Sequence, residues 1–368
     1  MASPVYFARV RARSPGENKI SRVRALFERA GFAGHLTPSE ATAIKLHFGE
    51  AGGDGYINPV LVRQVVDKVK ESGSRPFLTD TNTLYLGSRS DAVDHITTAI
   101  GHGFDYAVVN APVIIADGLR GGNVTSVPVQ GKHFSSVKIA GDIAAARSMI
   151  VLSHFKGHEV AGFGGAIKNL GMGCASPAGK REQHSARPMV VRDLCIGCQT
   201  CLPVCPQQAI GMDEGAALIS KDRCIGCFEC MTVCPERAID VDWETDIPTF
   251  TERMVEYAAG AAKTKEGRIG YMNFLLNITP DCDCVPWSDR QIVPDIGILA
   301  SNDPVAIDAA SFDLVNQQIG FSDTMLTDHF AAGEDKFTGL RCVTDGRRQV
   351  QYAEEIGLGI GAYDLIEI

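Results

Sequence analysis

The strongest constraint on this chain is a cysteine pattern written twice. Cys195-Ile-Gly-Cys198-Gln-Thr-Cys201-Leu-Pro-Val-Cys205-Pro206 returns 29 residues later as Cys224-Ile-Gly-Cys227-Phe-Glu-Cys230-Met-Thr-Val-Cys234-Pro235. The copies also agree at Asp193/Asp222, Ala209/Ala238 and Ile210/Ile239, so a duplication spans Asp193 to about Asp242. A Cys-x2-Cys-x2-Cys turn wraps three thiolates around one face of a [4Fe–4S] cubane, while the fourth cysteine, carried away by its proline, reaches the other cluster. The spacing therefore assigns Cys195, Cys198, Cys201 and Cys234 to one cluster, and Cys224, Cys227, Cys230 and Cys205 to a second. Gly197 and Gly226 allow the tight turn and let backbone N–H groups approach sulfur. Zinc knuckles also use Cys-x2-Cys, but they need neither the third cysteine nor the repeated x3-Cys-Pro ending.

These residues closely resemble the two-cluster bacterial ferredoxins, over about fifty residues. The resemblance implies electron transfer at low potential. From residue 190 to 242 there are four basic and eight acidic side chains, a net charge of -4. An acidic surface of this kind suits docking to a basic patch on a low-potential donor or acceptor protein such as a ferredoxin.

The 368 residues suggest two domains, or one large domain with an insertion. We expect an α/β body over 1–189 and 243–368, interrupted by a small α+β ferredoxin-like module over 190–242. No apolar run approaches the roughly 18 residues that cross a bilayer, which excludes a membrane span. Met1-Ala2-Ser3-Pro4-Val5 leads into arginines without a secretory core, so a cytoplasmic protein is expected. Twelve cysteines in a reducing compartment then point to metal ligation and away from disulfides. A net charge of -9 argues against a nucleic-acid binder.

Outside the module the pattern alternates. Val5–Val10, Ala43–Phe48, Phe77–Thr79, Ala107–Val109, Met149–Leu152, Arg268–Ile278 and Ile296–Ala300 read as strands. Lys19–Ala30 reads as a helix with Ile20, Val23, Phe27 and Ala30 on one face. Further helices start at Asn58-Pro59 and Asn302-Asp303-Pro304 by the cap-plus-proline signal, and another covers Phe250–Ala262. Alternation of this kind implies a mixed or largely parallel sheet with helices on both faces. Ligands of such sheets sit beyond the carboxyl ends of the strands. There the sequence places Lys45 and His47, Asp80-Thr-Asn82, Asn110, His154-Phe-Lys156-Gly-His158, Asp281-Cys282-Asp283-Cys284 and Asn302-Asp303. Taken singly, Asp80 and Asn302 read equally as turn or helix caps, and His47 as an ordinary packed histidine.

The segment from His154 to Cys174, with Gly162, Gly164, Gly165, Lys168 and Asn169, is followed by Gly179-Lys180 and His184. Its glycines stand where a strand should turn into a helix, so free N–H groups there are expected to hold an anionic group with Lys168 as counter-charge. Together with Lys45-Leu-His47, Asp80-Thr-Asn-Thr, Asp281-Cys-Asp-Cys284 and Asp303-Pro-Val-Ala-Ile-Asp308, it resembles the DUF362 domain family, whose members are often fused to ferredoxin modules. That resemblance implies kinship of fold and iron–sulfur binding, without naming a reaction. The segment is also similar to the nickel-pincer lactate racemases, whose motif runs His, Gly-Phe-x-Gly-Gly, then Lys. That likeness implies cofactor or metal roles for Lys168 and the histidines.

Residues i and i+2 of an extended segment share a face, so Cys282 and Cys284 can present both sulfurs to one metal. With Cys174 they form a candidate third metal or cluster site; the alternative is a pair of inert buried cysteines. Cys342 reads as structural. The expected function is an iron–sulfur oxidoreductase in which two clusters pass electrons to a site at the carboxyl edge. There Lys45, Lys156 and Lys168 would hold an anionic small-molecule substrate, His154 or His158 would shuttle protons, and His47 would stand beside them. The alternatives are a non-catalytic electron carrier or redox-partner subunit, and a metal- or cluster-handling accessory protein, including one concerned with nickel. No Gly-x-Gly-x-x-Gly fingerprint follows a strand, so no nicotinamide or FAD site is expected, while FMN stays open.

Overall fold

The computed structural model describes the chain except residues 1, 86, 185–186, 227–228 and 242–246. In chain order the strands are β1 (Ser3–Arg9), β2 (Ala41–Lys45), β3 (Arg75–Asp80), β4 (Val113–Ile115), β5 (Val124–Pro128), β6 (Ser136–Ala140), β7 (Ser148–His154), β8 (Lys156–His158), β9 (Gly162–Gly164), β10 (Pro188–Val190), β11 (Ile210–Asp213), β12 (Ala216–Ile219), β13 (Ile239–Val241), β14 (Ile269–Leu275), β15 (Gly297–Ser301) and β16 (Tyr363–Glu367). Eight of them form one sheet in the order β16-β1-β15-β14-β7-β2-β3-β4. Every neighbouring pair is parallel except those made by β15, which runs against both β1 and β14. The expected mixed, mostly parallel sheet is present.

All seven residues of β7 are buried, as a central strand covered on both faces requires. Met149 and Val151 enter one hydrophobic cluster, with Leu170, Phe250, Met254 and Ile307 from helices on that side. Ile150 and Leu152 enter another, with Phe27, Val62, Val66 and Ala99 from helices on the opposite side. Each such side chain taken out of water stabilises the fold by roughly 1.5–3 kcal/mol before entropy is counted.

The cap-plus-proline signals hold. Asn58 Oδ1 accepts the Val60 N–H at 2.9 Å at the head of the helix Pro59–Glu71. At the helix Pro304–Asn316 the cap is Asp303, which accepts from Val305 and Ala306 at 2.8 and 3.1 Å. The helix Lys19–Arg29 buries Val23, Leu26 and Phe27 and leaves Ile20 exposed, so its buried stripe is centred closer to Leu26 than the sequence suggested. Ala107–Val109 is not a strand: Asp105 caps the short helix Tyr106–Val109, Asn110 closes it in the left-handed region, and the strand here is β4.

The repeated cysteine segment builds its own small core around Cys201, Ile210, Ala217, Cys230 and Ile239. Its first strand, β10, begins at Pro188, two residues before the expected boundary at Val190, and pairs antiparallel with its last, β13. The chain thus enters and leaves this segment through neighbouring strands. The expected exit boundary at 242/243 lies outside the described residues.

Candidate functional site

Two hollows in the repeated segment are lined by the cysteine sets assigned from spacing. One is bordered by Cys195, Cys198, Cys201 and Cys234, the other by Cys205, Cys224 and Cys230. Cys227 lies outside the described residues. Cys234 thus crosses to the first copy and Cys205 to the second. Backbone N–H groups point at sulfur in matched positions: Ala209 to Cys205 and Ala238 to Cys234, both at 3.2 Å, and Ala217 to Cys195 at 3.4 Å. The Thr200 hydroxyl donates to Cys198 Sγ at 3.3 Å. Gly197 and Gly226 take φ of 68° and 67°, and a Cβ at Gly197 would stand 2.5 Å from the Gly215 carbonyl oxygen.

Four thiols around one hollow, with backbone and hydroxyl donors to their sulfurs, are a donor set that would suit a [4Fe–4S] cluster. A zinc ion draws its sulfurs to about 2.3 Å from one point. Among the described residues, no three His, Cys, Asp or Glu side chains converge in that way. The thiols instead surround a space, and donors to their sulfurs are what an anionic iron–sulfur cluster needs. Met231, between Cys230 and Cys234, packs against both the core of this segment and that of the large sheet.

The second site lies at the carboxyl edge of the large sheet. From β2 the chain runs out to β3 and β4, then crosses back to β7 on the other flank of β2. Such a reversal opens a crevice between the two strand ends. At the end of β2, Lys45 Nζ contacts Asp80 Oδ1 at 2.9 Å and Asn169 Oδ1 at 2.7 Å, all but excluded from water. Asp80 also faces Arg89, which in turn binds Glu50 at 3.1 Å. Burial alone would raise the Asp80 pKa, but Lys45, His47, His95 and Arg89 hold its carboxyl well below the usual range. His47 accepts the Gly49 N–H on Nδ1 at 3.0 Å, and burial, reinforced by Arg89, keeps it neutral.

At the end of β7, His154 Nδ1 lies 2.9 Å from Asp283 Oδ1, and its Nε2 faces the carbonyls of Leu276 and Asn277 at 3.0 and 2.9 Å. Both ring nitrogens face acceptors, so His154 ties the end of β7 to Asp283 and to the Leu276–Asn277 backbone. Lys156 Nζ is bound by Asp283 at 3.0 Å and by the His154 carbonyl at 3.1 Å. Lys45 and Lys156 are thus both matched by buried carboxylates and do not present free charge to an anionic substrate. His158 Nδ1 accepts from Val160 and Ala161, which leaves its Nε2 to carry the proton, 3.4 Å from Glu159.

Lys168 reaches the third element of the site. Its Nζ lies 3.3 Å from Cys282 Sγ. A hydrogen bond from Cys284, then Lys168, His158 and Lys156, draws the Cys282 pKa well down, while the Cys284 thiol, donating to Cys282, is pushed up. Burial would lower the Lys168 pKa, but Cys282 and Cys284 raise it. Lys168 thus stands against Cys282, two positions along the chain from Cys284. Cys174 is placed elsewhere: it sits in the core, 3.7 Å from the Asn169 carbonyl, with its thiol pushed up to about 11 by burial. Cys342, expected to be structural, is exposed.

Two further expectations are corrected. The N–H groups of Ala166 and Ile167, expected to be free for an anion, are taken by the Asp308 carboxylate at 2.7 and 2.9 Å. Asn302 and Asp303 follow β15, which runs backwards, so they lie at the opposite edge, where Asn302 binds His35. Sequence reasoning missed Glu50, Arg89, Glu159 and the role of Asp308. The one local signal was charge within turn-rich segments that flank strands.

A family model described as a domain of unknown function, DUF362, matches residues 42–313. The chain belongs to the DUF362 family. The matched DUF362 span contains both sites, from Lys45 to Asp308. Among solved structures, the lactate racemase apoprotein from Thermoanaerobacterium thermosaccharolyticum is 11% identical at a TM-score of 0.38, over 69% of this chain and 49% of that one. A protein from Thermotoga maritima is 8% identical at 0.39, over 93% and 59%. This DUF362 chain thus spans about half the length of the first and 59% of the second. No curated protein matches it. Among the described residues, no helix is long and apolar enough to cross a membrane.

Proposed function

We propose that this DUF362 protein is an iron–sulfur redox protein, with a [4Fe–4S] cluster in each hollow of the 190–242 module and an electron-accepting site at the carboxyl edge of the sheet. The observation that supports this reading best is the crossed lining of the hollows, because it unites cysteines from both sequence copies in each set. When bound, such clusters supply one-electron transfer at low potential. The chain's own part is to donate N–H groups to the sulfurs, to exclude water with Ile210 and Ile239, and to couple the module to the body through Met231. The acidic module surface would meet a basic electron-transfer protein.

Iron and acid-labile sulfide analysis of anaerobically purified protein tests the proposal. About eight irons per chain is expected, and about twelve would demand a further cubane. A preparation that holds zinc in place of iron and has no low-temperature EPR signal after reduction would sink it.

A further inference from the structure

We propose that Cys282 and Cys284 form a redox-active dithiol whose substrate is a disulfide. This deepens the reading above by giving the electrons a destination, and it rests on that reading for their supply. The two cysteines are the first and third residues of a turn closed by the Val285 N–H on the Cys282 carbonyl at 3.1 Å. Extended chain holds residues i and i+2 near the roughly 7 Å limit of Cα separation for a disulfide, and a turn shortens that span. Asp283 between them is clamped by His154 and Lys156, and the Cys282 N–H is held by Glu159 at 3.2 Å. Lys168 beside Cys282 Sγ opposes a metal cation and favours an anionic sulfur. Cys282 is 2% exposed while Cys284 is partly open to solvent, so a substrate meets Cys284 first.

The chemistry balances. The Cys284 thiol gives its proton to the Cys282 thiolate and attacks one sulfur of R–S–S–R; that S–S bond breaks and RS⁻ leaves. Cys282 then attacks the Cys284 sulfur, and its proton departs with the second fragment as RSH. Two electrons have passed to the substrate, leaving a Cys282–Cys284 disulfide. Two electrons from a low-potential one-electron donor protein, with one proton, restore thiolate and thiol.

Anaerobic incubation with hydroxyethyl disulfide, followed by peptide mass measurement, tests this. Cys282→Ser should accumulate a single adduct on Cys284, whereas Cys284→Ser should leave Cys282 at least about tenfold less modified. The unsubstituted protein should give a peptide two hydrogens lighter that reverts on reduction. Adducts on both cysteines of that protein, or no change in it, overturn the proposal. Iron measured on the same samples separates the two readings: a reversible bridge without iron counts against the clusters alone, and about eight irons without a bridge counts against the dithiol alone.

Discussion

Asp308 and Ala166 are 142 positions apart in sequence, and the carboxylate of the first accepts the backbone N–H of the second at 2.7 Å. With Ile167 and the Asn273 amide also bound to it, Asp308 acts as a cap supplied from a distant helix to the glycine-rich turn that leads into Lys168. Gly165 makes this approach possible, since a Cβ there would stand 2.4 Å from the carboxylate.

The same carboxyl gives the protein a pH dependence. Burial pushes the Asp308 pKa up to about 6, against an ordinary value of 3.8. A carboxyl whose pKa rises on folding binds its proton more tightly in the folded chain, so the stability linked to it is present below 3.8 and is lost as pH rises through about 6. The effect is at most on the order of 3 kcal/mol. Relative to Asp308→Asn, the unsubstituted protein should gain thermal stability as the pH is lowered from about 7 to about 5. Parallel melting curves would refute the assignment.

The crossed lining of the hollows predicts which cysteine variants behave alike. Cys205→Ser should resemble Cys224→Ser, and Cys234→Ser should resemble Cys195→Ser, each losing about half of the iron. Combining Cys205→Ser with Cys224→Ser should cost no more iron than either alone. If Cys205→Ser instead behaved like Cys195→Ser, the crossing would be wrong.

Removing one member of the buried Lys45–Asp80 pair should be costly. Lys45→Met leaves part of a buried charge uncompensated, and a loss of roughly 3–5 kcal/mol is expected. Adding Asp80→Asn should recover part of it. Urea midpoints of the single and double variants measure the difference, and additive losses would argue against direct coupling.

Gly197 adopts φ of 68° with the Gly215 carbonyl close by. Gly197→Ala should therefore strain the first copy by at least about 1 kcal/mol and lower its iron occupancy, while the second copy keeps its own. Equal loss from both copies, read by EPR, would count against independent hollows.

What could be read from the sequence was what local spacing encodes. The cysteine turns, their crossing and the cap at Asn58 each involve a few neighbouring residues or a known geometry. Strand direction is not written locally: β15 runs against its neighbours, so following a strand does not fix the edge of the sheet at which Asn302 lies. The β-branched run near Val108 looked like a strand because periodicity over so few residues cannot outweigh the Asp105 cap. The Lys45–Asp80–Arg89–Glu50 chain of charges arises only when separate strand ends meet, so no window of sequence contains it.

The antiparallel pairing of Pro188–Val190 with Ile239–Val241 has a consequence for ancestry. A segment whose two ends are already side by side can be gained or shed as a single cassette, because the host sheet needs only a short splice to close the gap. A relative that kept the crevice and lacked this segment would then be one deletion away from this chain.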